Sequence, residues 1–403
     1  MVHIEMVRLG RIERGKMPDT LKLCVIGGSN SLMRNGYTPP LVANLERRTG
    51  KKVDFRNLSV GGTFCHFGLW QVVTKGQHID ADVIIVEYAL NDAELARFGI
   101  HQQWTKAYEG MIARLRRDNP TAQILTPLLF SRSNTGRTQI SGISSGVALI
   151  NMRYGVSTID VTQELLAKAP LNYWDPAKEW HRDQSHYHKF LQVMIGEMVA
   201  DRILKGEGYG LARDYAPIMP GHFINAQSAV MANKFDMMLP ADTKFRDFSN
   251  SLFSERAAII GEGAEISFNV QGSVVAVMVV STREDGVVCA QFGAHKSYFS
   301  LRRRALDDEK YPFLLNLVIP DQYFGKQICA SLDVEERFSL RLVADAEAEQ
   351  VGYDNIQHRG TARLPDQGSH ELAVIDLLFD GVISPVTDNV AMPDGIQMEA
   401  VEA

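Results

Sequence analysis

Apolar runs and amphipathic segments alternate along the first half of the chain. Five runs are almost continuously apolar, as the strands of a parallel sheet are when helices cover both faces of that sheet. The runs are residues 21–26, 52–58, 82–88, 122–130 and 156–161. Apolar side chains also recur at helical spacing from Trp104 to Leu115, and again from Phe190 to Met198. These patterns predict an α/β fold, a three-layer α/β/α sandwich built on a parallel five-stranded sheet.

The pattern changes after about Gly206, where a stretch rich in glycine and proline begins. Beyond it, residues 264–270 place apolar side chains on every second position, which indicates a half-buried strand. Further short runs are separated by segments typical of turns. They are residues 274–280, 287–292, 313–319, 337–343 and 371–379. We therefore predict a C-terminal antiparallel β-sandwich of jelly-roll-like character.

The chain has 403 residues, more than a single hydrophobic core usually fills, so two domains are expected. The changes in pattern described above set the boundaries between the predicted segments of the chain. We predict an N-terminal extension (1–20), an α/β domain (21–205), a linker (206–222), a β-sandwich domain (223–385) and a tail (386–403).

Composition narrows the classes of partner. A formal net charge of -6, with 22% charged residues, gives no reason to expect nucleic acid or an anionic membrane. The first residues lack the apolar core of a secretion signal, and no run reaches the roughly 20 apolar residues of a membrane span. We expect a cytoplasmic protein, with export by a non-standard route left open. The cysteines lack CxxC spacing and are expected to be reduced packing thiols: Cys24, Cys65, Cys289 and Cys329.

The stretch LCVIGGSNSLM, residues 23–33, runs from the first apolar segment into two glycines and two serines. Ser29 follows the C-terminal end of a predicted strand, where open α/β sheets bind their ligands. Glycines there permit a tight turn, and N–H groups at a helix start can stabilise an oxyanion. Ser29 is therefore a candidate nucleophile, and Ser31 is its local rival. The alternative is a plain turn capped by Ser29 or Asn30.

Three further polar stretches stand at the ends of predicted elements. Acyl transfer needs a base, a group that orients the base, and donors for the developing negative charge. The stretches are NLSVGGT (57–63) after the second run, EYALNDA (87–93) after the third, and HRDQSHYH (181–188) before the last helix. All of them would lie with Ser29 along one edge of the sheet.

Residues 21 to about 205 resemble the SGNH, or GDSL-type, serine hydrolase family, whose four blocks supply serine, glycine, asparagine and histidine. The matching blocks here are Gly27-Gly28-Ser29, Val60-Gly61-Gly62-Thr63, Ala89-Leu90-Asn91-Asp92 and Asp183-Gln184-Ser185-His186. Three positions depart from the family pattern: Gly28 replaces an aspartate, Ala89 a glycine, and Tyr187 a proline. None of these positions supplies a catalytic side chain, so the resemblance still implies the family's chemistry.

The resemblance implies that Ser29 is the nucleophile, that His186 accepts and returns its proton, and that Asp183 orients the imidazole. It also implies an oxyanion hole formed by the backbone N–H groups of Ser29 and Gly62 and the side-chain amide of Asn91. No cofactor is implied.

Several of these residues have alternative interpretations. Asp183 and Ser185 are also candidate N-terminal caps of the last helix. A zinc site is a less favoured alternative, because the serine, glycine and asparagine blocks would then have no role. Its ligands would come from His181, Asp183, His186 and His188.

Two further features stand outside the four blocks. Trp174 and Trp180 are candidate substrate contacts, with loop packing as the alternative. The run Arg302–Arg304 is most simply a solvated strand or turn, with a polyanion contact as the minor alternative.

We expect a serine esterase that removes a short acyl group, most simply acetyl, from a carbohydrate or polysaccharide. An acyltransferase acting on sugars would use the same residues, so it remains an alternative. A catalytically silent binding or assembly protein is a third hypothesis, and a homo-oligomer is left open.

Overall fold

The computed structural model describes residues 19–95, 101–133, 142–168, 179–210, 216–218, 221–250, 253–307, 311–324, 334–358 and 370–386. In this part of the chain the secondary structure divides into an α/β layer structure followed by a β-rich region. Among these residues, no helix is both long and apolar enough to cross a membrane.

A five-stranded parallel sheet forms the centre of the first half. Its strands are β1 (Thr20–Gly27), β2 (Lys52–Asn57), β3 (Val83–Glu87), β4 (Gln123–Leu128) and β5 (Ser157–Asp160). They are ordered β2-β1-β3-β4-β5, and every neighbouring pair is parallel. All five strands coincide with predicted apolar runs.

Helices cover both faces of this sheet. The described helices of the first half are α1 (Ser29–Leu32), α2 (Thr38–Thr49), α3 (Cys65–Lys75), α4 (Ala89–Asp92), α5 (His101–Asp118), α6 (Gly142–Arg153), α7 (Val161–Lys168) and α8 (Lys189–Leu204). Side chains of α3, α5 and α6 fill one hydrophobic cluster, and those of α2, α7 and α8 fill the cluster on the opposite face. The three-layer α/β/α sandwich is confirmed.

The start of α8 differs in two details from the sequence prediction. The N-terminal cap is His188, not Asp183 or Ser185, and no side chain completes the cap. Phe190, predicted to lie in the buried stripe, is 50% exposed, whereas Leu191 and Ile195 are buried. The helix begins later than predicted, and its first two residues, Lys189 and Phe190, are exposed.

The second half is one hydrogen-bonded network of strands, mostly antiparallel. Its strands are β6 (Gln227–Ser228), β7 (Lys244–Asn250), β8 (Phe253–Gly261), β9 (Glu265–Ser281), β10 (Val287–Phe292), β11 (His295–Ser300), β12 (Leu314–Val318), β13 (Glu336–Leu342), β14 (Ile356–His358) and β15 (Glu371–Ser384). The main order is β14-β11-β10-β13-β9-β15-β8-β7, with β12 on β9 and β6 on β15. Only the β11–β14 pair is parallel among the described pairs of this network. Two short helices, α9 (Pro320–Phe324) and α10 (Asp345–Val351), interrupt the strands.

The predicted β-sandwich is confirmed as a fold, but its strand boundaries needed correction. The predicted strands 264–270 and 274–280 are one strand, β9, whose first part pairs with β13 and whose last part pairs with β12. The sequence prediction also missed β7 and β8. Most residues of β7 and several of β8 are exposed, so these strands lack a continuous apolar face.

Two glycines face each other in the long β9–β15 ladder. Gly272 pairs with Gly381, and their φ angles are 121° and 124°. A β-carbon on Gly272 would collide with the carbonyl oxygen of Asp380, and one on Gly381 would collide with that of Gln271. Glycine is therefore required at both positions, because only glycine combines this φ with so close an approach of two backbones.

The two halves share a hydrophobic cluster. Phe67 from α3 belongs to the same cluster as Met278 from β9 and Ile375 from β15. Polar contacts add to it: the Trp70 indole N–H donates to the buried Asp376 carboxylate at 2.7 Å, and Lys75 pairs with Glu255. The β-rich half thus packs directly on the helices of the first half.

The beginning of the predicted linker is also packed. The Ile124 N–H at the sheet donates to the Gly208 carbonyl at 2.9 Å, and the Arg116 guanidinium donates to the same carbonyl at 3.0 Å. The limits between extension, domains, linker and tail stay predictions.

Candidate active site

The polar blocks of the sequence meet at the carboxyl edge of the parallel sheet. Strands β1, β2 and β3 are neighbours, so the segments that follow them begin side by side. Backbone hydrogen bonds tie these segments together: the Gly28 N–H donates to the Glu87 carbonyl at 3.0 Å, and the Val60 N–H donates to the Gly27 carbonyl at 2.9 Å. This arrangement places Ser29, the first residue of α1, between the segments that follow β2 and β3.

Ser29, His186 and Asp183 form a continuous chain of hydrogen bonds. The Ser29 Oγ lies 2.9 Å from His186 Nε2, and His186 Nδ1 lies 2.9 Å from both carboxylate oxygens of Asp183. An ionised carboxylate only accepts, so Nδ1 carries the proton, and Nε2 of the neutral ring accepts from the serine hydroxyl. The imidazole therefore has the tautomer that a general base needs.

The loop that carries His186 is closed by its own backbone. His181 and Tyr187 form a β-bridge, and the Arg182 N–H donates to the His186 carbonyl at 2.8 Å. The Tyr187 hydroxyl accepts from the Phe130 N–H at 2.9 Å, which fixes the loop on the segment after β4. Tyr187 thus supports the loop through its side chain.

Asp183 is the acceptor of several donors within this loop. Its Oδ1 accepts from the N–H groups of Ser185 and His186 at 2.9 Å each, in addition to the ring. Burial acts to raise the pKa of Asp183, but these hydrogen bonds and the His186 charge outweigh it and lower the pKa to about 2. Asp183 therefore stays ionised throughout the working pH range and can stabilise a protonated imidazole.

Asn30 joins the serine segment to the histidine loop. Its side-chain amide donates to the Ser185 carbonyl at 3.0 Å and accepts from Gln192 of α8 at 3.0 Å. The sequence analysis treated Asn30 only as a cap. Its position directly after Ser29 was the one available signal, because both of its partners lie more than 150 residues away.

The glycine turn, Gly61-Gly62, and Asn91 lie close to the Ser29 segment, since a β-carbon on Gly61 would lie 3.5 Å from the Ser29 Cβ. Gly62 has a φ of 71°, the left-handed region that glycine occupies without strain. A β-carbon on Gly28 would lie 2.6 Å from the Asn91 amide nitrogen, so this amide packs against the residue before Ser29. Asn91 donates one amide hydrogen to the Thr63 carbonyl at 2.7 Å, and an amide has a second hydrogen to give. The structure therefore brings together Ser29, His186 and Asp183 and places Asn91 and the glycine turn near Ser29, while the oxyanion hole stays a prediction.

Ser31, the alternative nucleophile, is buried. Its hydroxyl is hydrogen-bonded to residues other than His186. Its hydroxyl donates to Glu87 Oε2 at 3.0 Å and shares a 2.8 Å hydrogen bond with the Tyr37 hydroxyl. Burial raises the pKa of Glu87 to about 8, although the hydrogen bonds from Ser31 and the Gly28 N–H oppose the rise. Ser31 therefore supports the turn, and Glu87 is a buried carboxyl group that the sequence analysis did not single out.

Asp92 anchors the Asn91 segment. Its carboxylate accepts from the Cys65 N–H, at the start of α3, at 2.9 Å and from the Trp104 indole N–H at 2.8 Å. Burial raises its pKa to about 7, against the effect of these two hydrogen bonds. The Asn-Asp pair in the sequence could have indicated this residue: Asp92 accepts from the first N–H of α3, while the neighbouring Asn91 side chain lies against Gly28.

The other residues singled out in the sequence lie in several different environments. Trp180 is 1% exposed and packs in the cluster of α2 and α8, so the substrate contact predicted for it is corrected to core packing. Trp174 and Cys329 lie outside the described residues. Among the described residues, no three histidine, cysteine, aspartate or glutamate side chains are grouped so as to hold a metal ion. In the arginine run, Arg302 pairs with Asp307, and Arg303 reaches the first domain.

No family model matches this sequence, and no curated protein matches it. Among solved structures, a two-domain esterase (CEX) active on acetylated mannans, co-crystallised with mannopentaose, aligns with 90% of this chain and 91% of its own. The identity is 14% and the TM-score 0.57. Another structure of a two-domain esterase (CEX) active on acetylated mannans aligns with 91% of this chain and 92% of its own, at 12% identity and a TM-score of 0.58.

This chain has their two-domain fold. The fold that the resemblance to SGNH hydrolases implied for the first half, followed by a β-domain, is therefore confirmed over most of the chain.

Proposed function

We propose that this protein is a serine esterase that removes a short acyl group, most simply acetyl, from a carbohydrate. The observation that carries the proposal is the unbroken chain of hydrogen bonds from Ser29 through His186 to Asp183. The glycine turn that contains Gly62 and the Asn91 side chain lie near the serine segment, where donors to an oxyanion are needed. A merely structural serine at a strand end would not need a base held in the correct tautomer.

In the proposed reaction, the Ser29 oxygen attacks the ester carbonyl carbon while His186 Nε2 takes the hydroxyl proton. The carbonyl oxygen becomes an oxyanion, which the N–H groups of Ser29 and Gly62 and the Asn91 amide stabilise. The carbon–oxygen bond to the alcohol then breaks, and His186 gives its proton to the departing oxygen. Water, deprotonated by His186, attacks the acyl-enzyme and releases the acid and free Ser29. Asp183, ionised throughout, stabilises the imidazolium in both halves.

The carbohydrate part of the proposal is supported by the likeness to esterases that are active on acetylated mannans. If a sugar hydroxyl took the place of water in the second step, the same residues would make an acyltransferase. Product analysis with an acetyl donor and sugar acceptors separates the two outcomes, since only the transferase yields acylated sugar.

The first test is hydrolysis of p-nitrophenyl acetate and p-nitrophenyl octanoate by the wild type, Ser29→Ala and Ser31→Ala. We expect acetate to be preferred, and Ser29→Ala to lower kcat by at least about 10⁴-fold, because the covalent step is lost. Ser31→Ala is the matched control: it loses a buried hydrogen bond and some stability, but it keeps most of the turnover. Equal slow hydrolysis by wild type and Ser29→Ala would remove the proposed function.

A further inference from the structure

The segment that carries Ser29 is fixed to the sheet from both sides. On one side, the Gly28 N–H donates to the carbonyl of Glu87, the last residue of β3, at 3.0 Å. On the other side, the side-chain amide of Asn57, at the end of β2, donates to the Ser31 carbonyl at 2.9 Å. The nucleophile therefore has a defined place relative to three neighbouring strands.

The loop that carries His186 is attached to a different part of the sheet. The Arg132 N–H donates to the Gln184 carbonyl at 2.8 Å, and the Gln184 side chain donates to the Ser133 hydroxyl at 2.9 Å. These contacts hold the loop on the segment that follows β4, and β4 lies two positions from β1 in the sheet. The separation of base and nucleophile therefore depends on contacts that cross from one segment to the other.

Asn30 makes such a crossing contact. It directly follows Ser29, is 1% exposed, and donates through Nδ2 to the carbonyl of Ser185, the residue before His186, at 3.0 Å. Because a carbonyl only accepts, the amide nitrogen faces it, and Oδ1 is left to accept from Gln192 Nε2 of α8 at 3.0 Å. The carboxamide is thus held in one orientation between the nucleophile turn, the histidine loop and α8.

We propose that Asn30 is a positioning residue, whose side chain sets the hydrogen bond between Ser29 and His186. The Ser29 Oγ lies 2.9 Å from His186 Nε2, and each of these residues is the sequence neighbour of one end of the Asn30–Ser185 contact. A misplacement of reacting groups by about 1 Å can lower a rate by about 100-fold. The inference rests on the proposed esterase function and adds a residue that acts through the triad, so its effect belongs to kcat.

The test measures kcat and KM for p-nitrophenyl acetate with the wild type, Asn30→Ala, Asn30→Asp and Gln123→Ala. Gln123→Ala is the matched control, because Gln123 is 2% exposed and begins β4 at the opposite edge of the sheet. Its side-chain amide also makes two hydrogen bonds, to the carbonyls of Ile203 and Glu207, at 3.0 Å each. Thermal unfolding verifies that each variant is folded at the assay temperature, and complete labelling of Ser29 by a fluorophosphonate counts the competent sites.

We expect Asn30→Ala to lower kcat per competent site by about 10-fold to 100-fold, with KM changed by less than about threefold. Gln123→Ala loses as many hydrogen bonds of a buried amide, so it should lower the thermal midpoint by a similar amount. Its kcat should nevertheless stay within about threefold of the wild-type value, because no contact of Gln123 reaches the triad segments.

Asn30→Asp separates the hydrogen bond from the packing, because the introduced carboxyl group has nearly the shape of the amide. A carboxylate cannot donate to the Ser185 carbonyl, whereas a protonated carboxyl group can, and burial favours the protonated form. Neither the Ser185 carbonyl nor the Gln192 amide titrates. The kcat of Asn30→Asp, divided by that of the wild type, should therefore rise as the pH falls from about 9 to about 6. The same ratio for Asn30→Ala should stay constant.

Several outcomes would overturn the inference. Wild-type kcat in folded Asn30→Ala would show that the contact does not position the triad, and an equal loss in Gln123→Ala would show that any lost buried hydrogen bond slows the enzyme. A change in KM alone would make Asn30 a substrate-binding residue. If Asn30→Ala does not fold, Asn30→Asp decides, because a pH-independent ratio would show that donation to Ser185 is not needed.

Failure of the esterase proposal looks different from failure of this inference. In that case turnover would be absent in the wild type or would survive Ser29→Ala.

Discussion

At the scale of single residues, burial decides which carboxyl groups near Ser29 carry a charge. Asp183 is 45% exposed and has a pKa of about 2, so it is ionised. Glu87 is fully buried beneath the serine turn, and its pKa is about 8 because burial outweighs its hydrogen bonds. Two carboxyl groups on the same sheet edge therefore have opposite protonation states at neutral pH.

Glu87 should make the fold less stable as the pH rises. The folded protein keeps the Glu87 proton up to a pH of about 8, whereas the unfolded chain releases it near the ordinary value of 4.5. The folded state therefore binds more protons between these values, and the free energy of unfolding falls across that interval by up to about 1.4 kcal/mol per pH unit. Glu87→Gln should reduce this decline. Compared with the wild type, the variant should therefore be more stable at pH 8 than it is at pH 5.

Denaturant unfolding at a series of pH values measures this effect. Other groups also titrate in the same interval, so the informative quantity is the difference between variant and wild type at each pH. Glu197→Gln, on the exposed face of α8, is the control and should follow the wild type. Parallel pH curves for Glu87→Gln and wild type would show that Glu87 is already ionised in the folded protein.

At the scale of elements, the pairing of strands β9 and β15 depends on two glycines that face each other. Gly272 and Gly381 face each other between the part of β9 that pairs with β13 and the part that pairs with β12. Because both halves of the β-domain share these two strands, a substitution at this glycine pair should destabilise both halves.

Gly272→Ala should be strongly destabilising, by about 2 kcal/mol or more. Its methyl group would meet the carbonyl oxygen of Asp380, and its φ of 121° is unfavourable for alanine. Gly261→Ala, at the end of β8, is a close control, because a β-carbon there would meet nothing within 4 Å. Chemical denaturation of both variants checks the prediction, and similar stabilities for the two would contradict it.

At the scale of the whole molecule, the two halves are joined by a continuous core. The cluster that contains α3 side chains also contains residues of β9 and β15. The Asp376 carboxylate, buried in β15, accepts from the Trp70 indole N–H and from the Ser228 hydroxyl at 2.5 Å. An unfolded β-domain would leave both an apolar face and an indole N–H of the first half without these partners.

We therefore expect one cooperative thermal transition for the whole chain. Trp70→Phe should lower its midpoint by a few degrees without splitting it, because the buried carboxyl group of Asp376 loses one hydrogen-bond donor. Met152→Ala, at a position 74% exposed, is the control and should leave the midpoint unchanged. Calorimetry combined with circular dichroism tests this, and two separate transitions would show that the halves unfold independently.

The sequence by itself determined the parallel sheet and the residues around Ser29. Buried parallel strands are apolar on both faces, so each strand could be recognised as an apolar run in the sequence. The carboxyl ends of parallel strands also lie at the same edge of the sheet. Three short blocks at those ends and a fourth before the last helix were therefore expected along one edge, and the resemblance to SGNH hydrolases selected Ser29, Gly62, Asn91, Asp183 and His186 within them.

Only the tertiary structure decided the contacts between distant segments. Local periodicity does not reveal which strand a neighbour pairs with, so one long β9 was read as two strands. Burial likewise depends on everything that packs around a side chain: it placed Trp180 in the core and raised the pKa of Glu87. Arg303 looked like part of a solvated turn, because nothing in its own segment records that β12 and Asn316 direct it to Gly62.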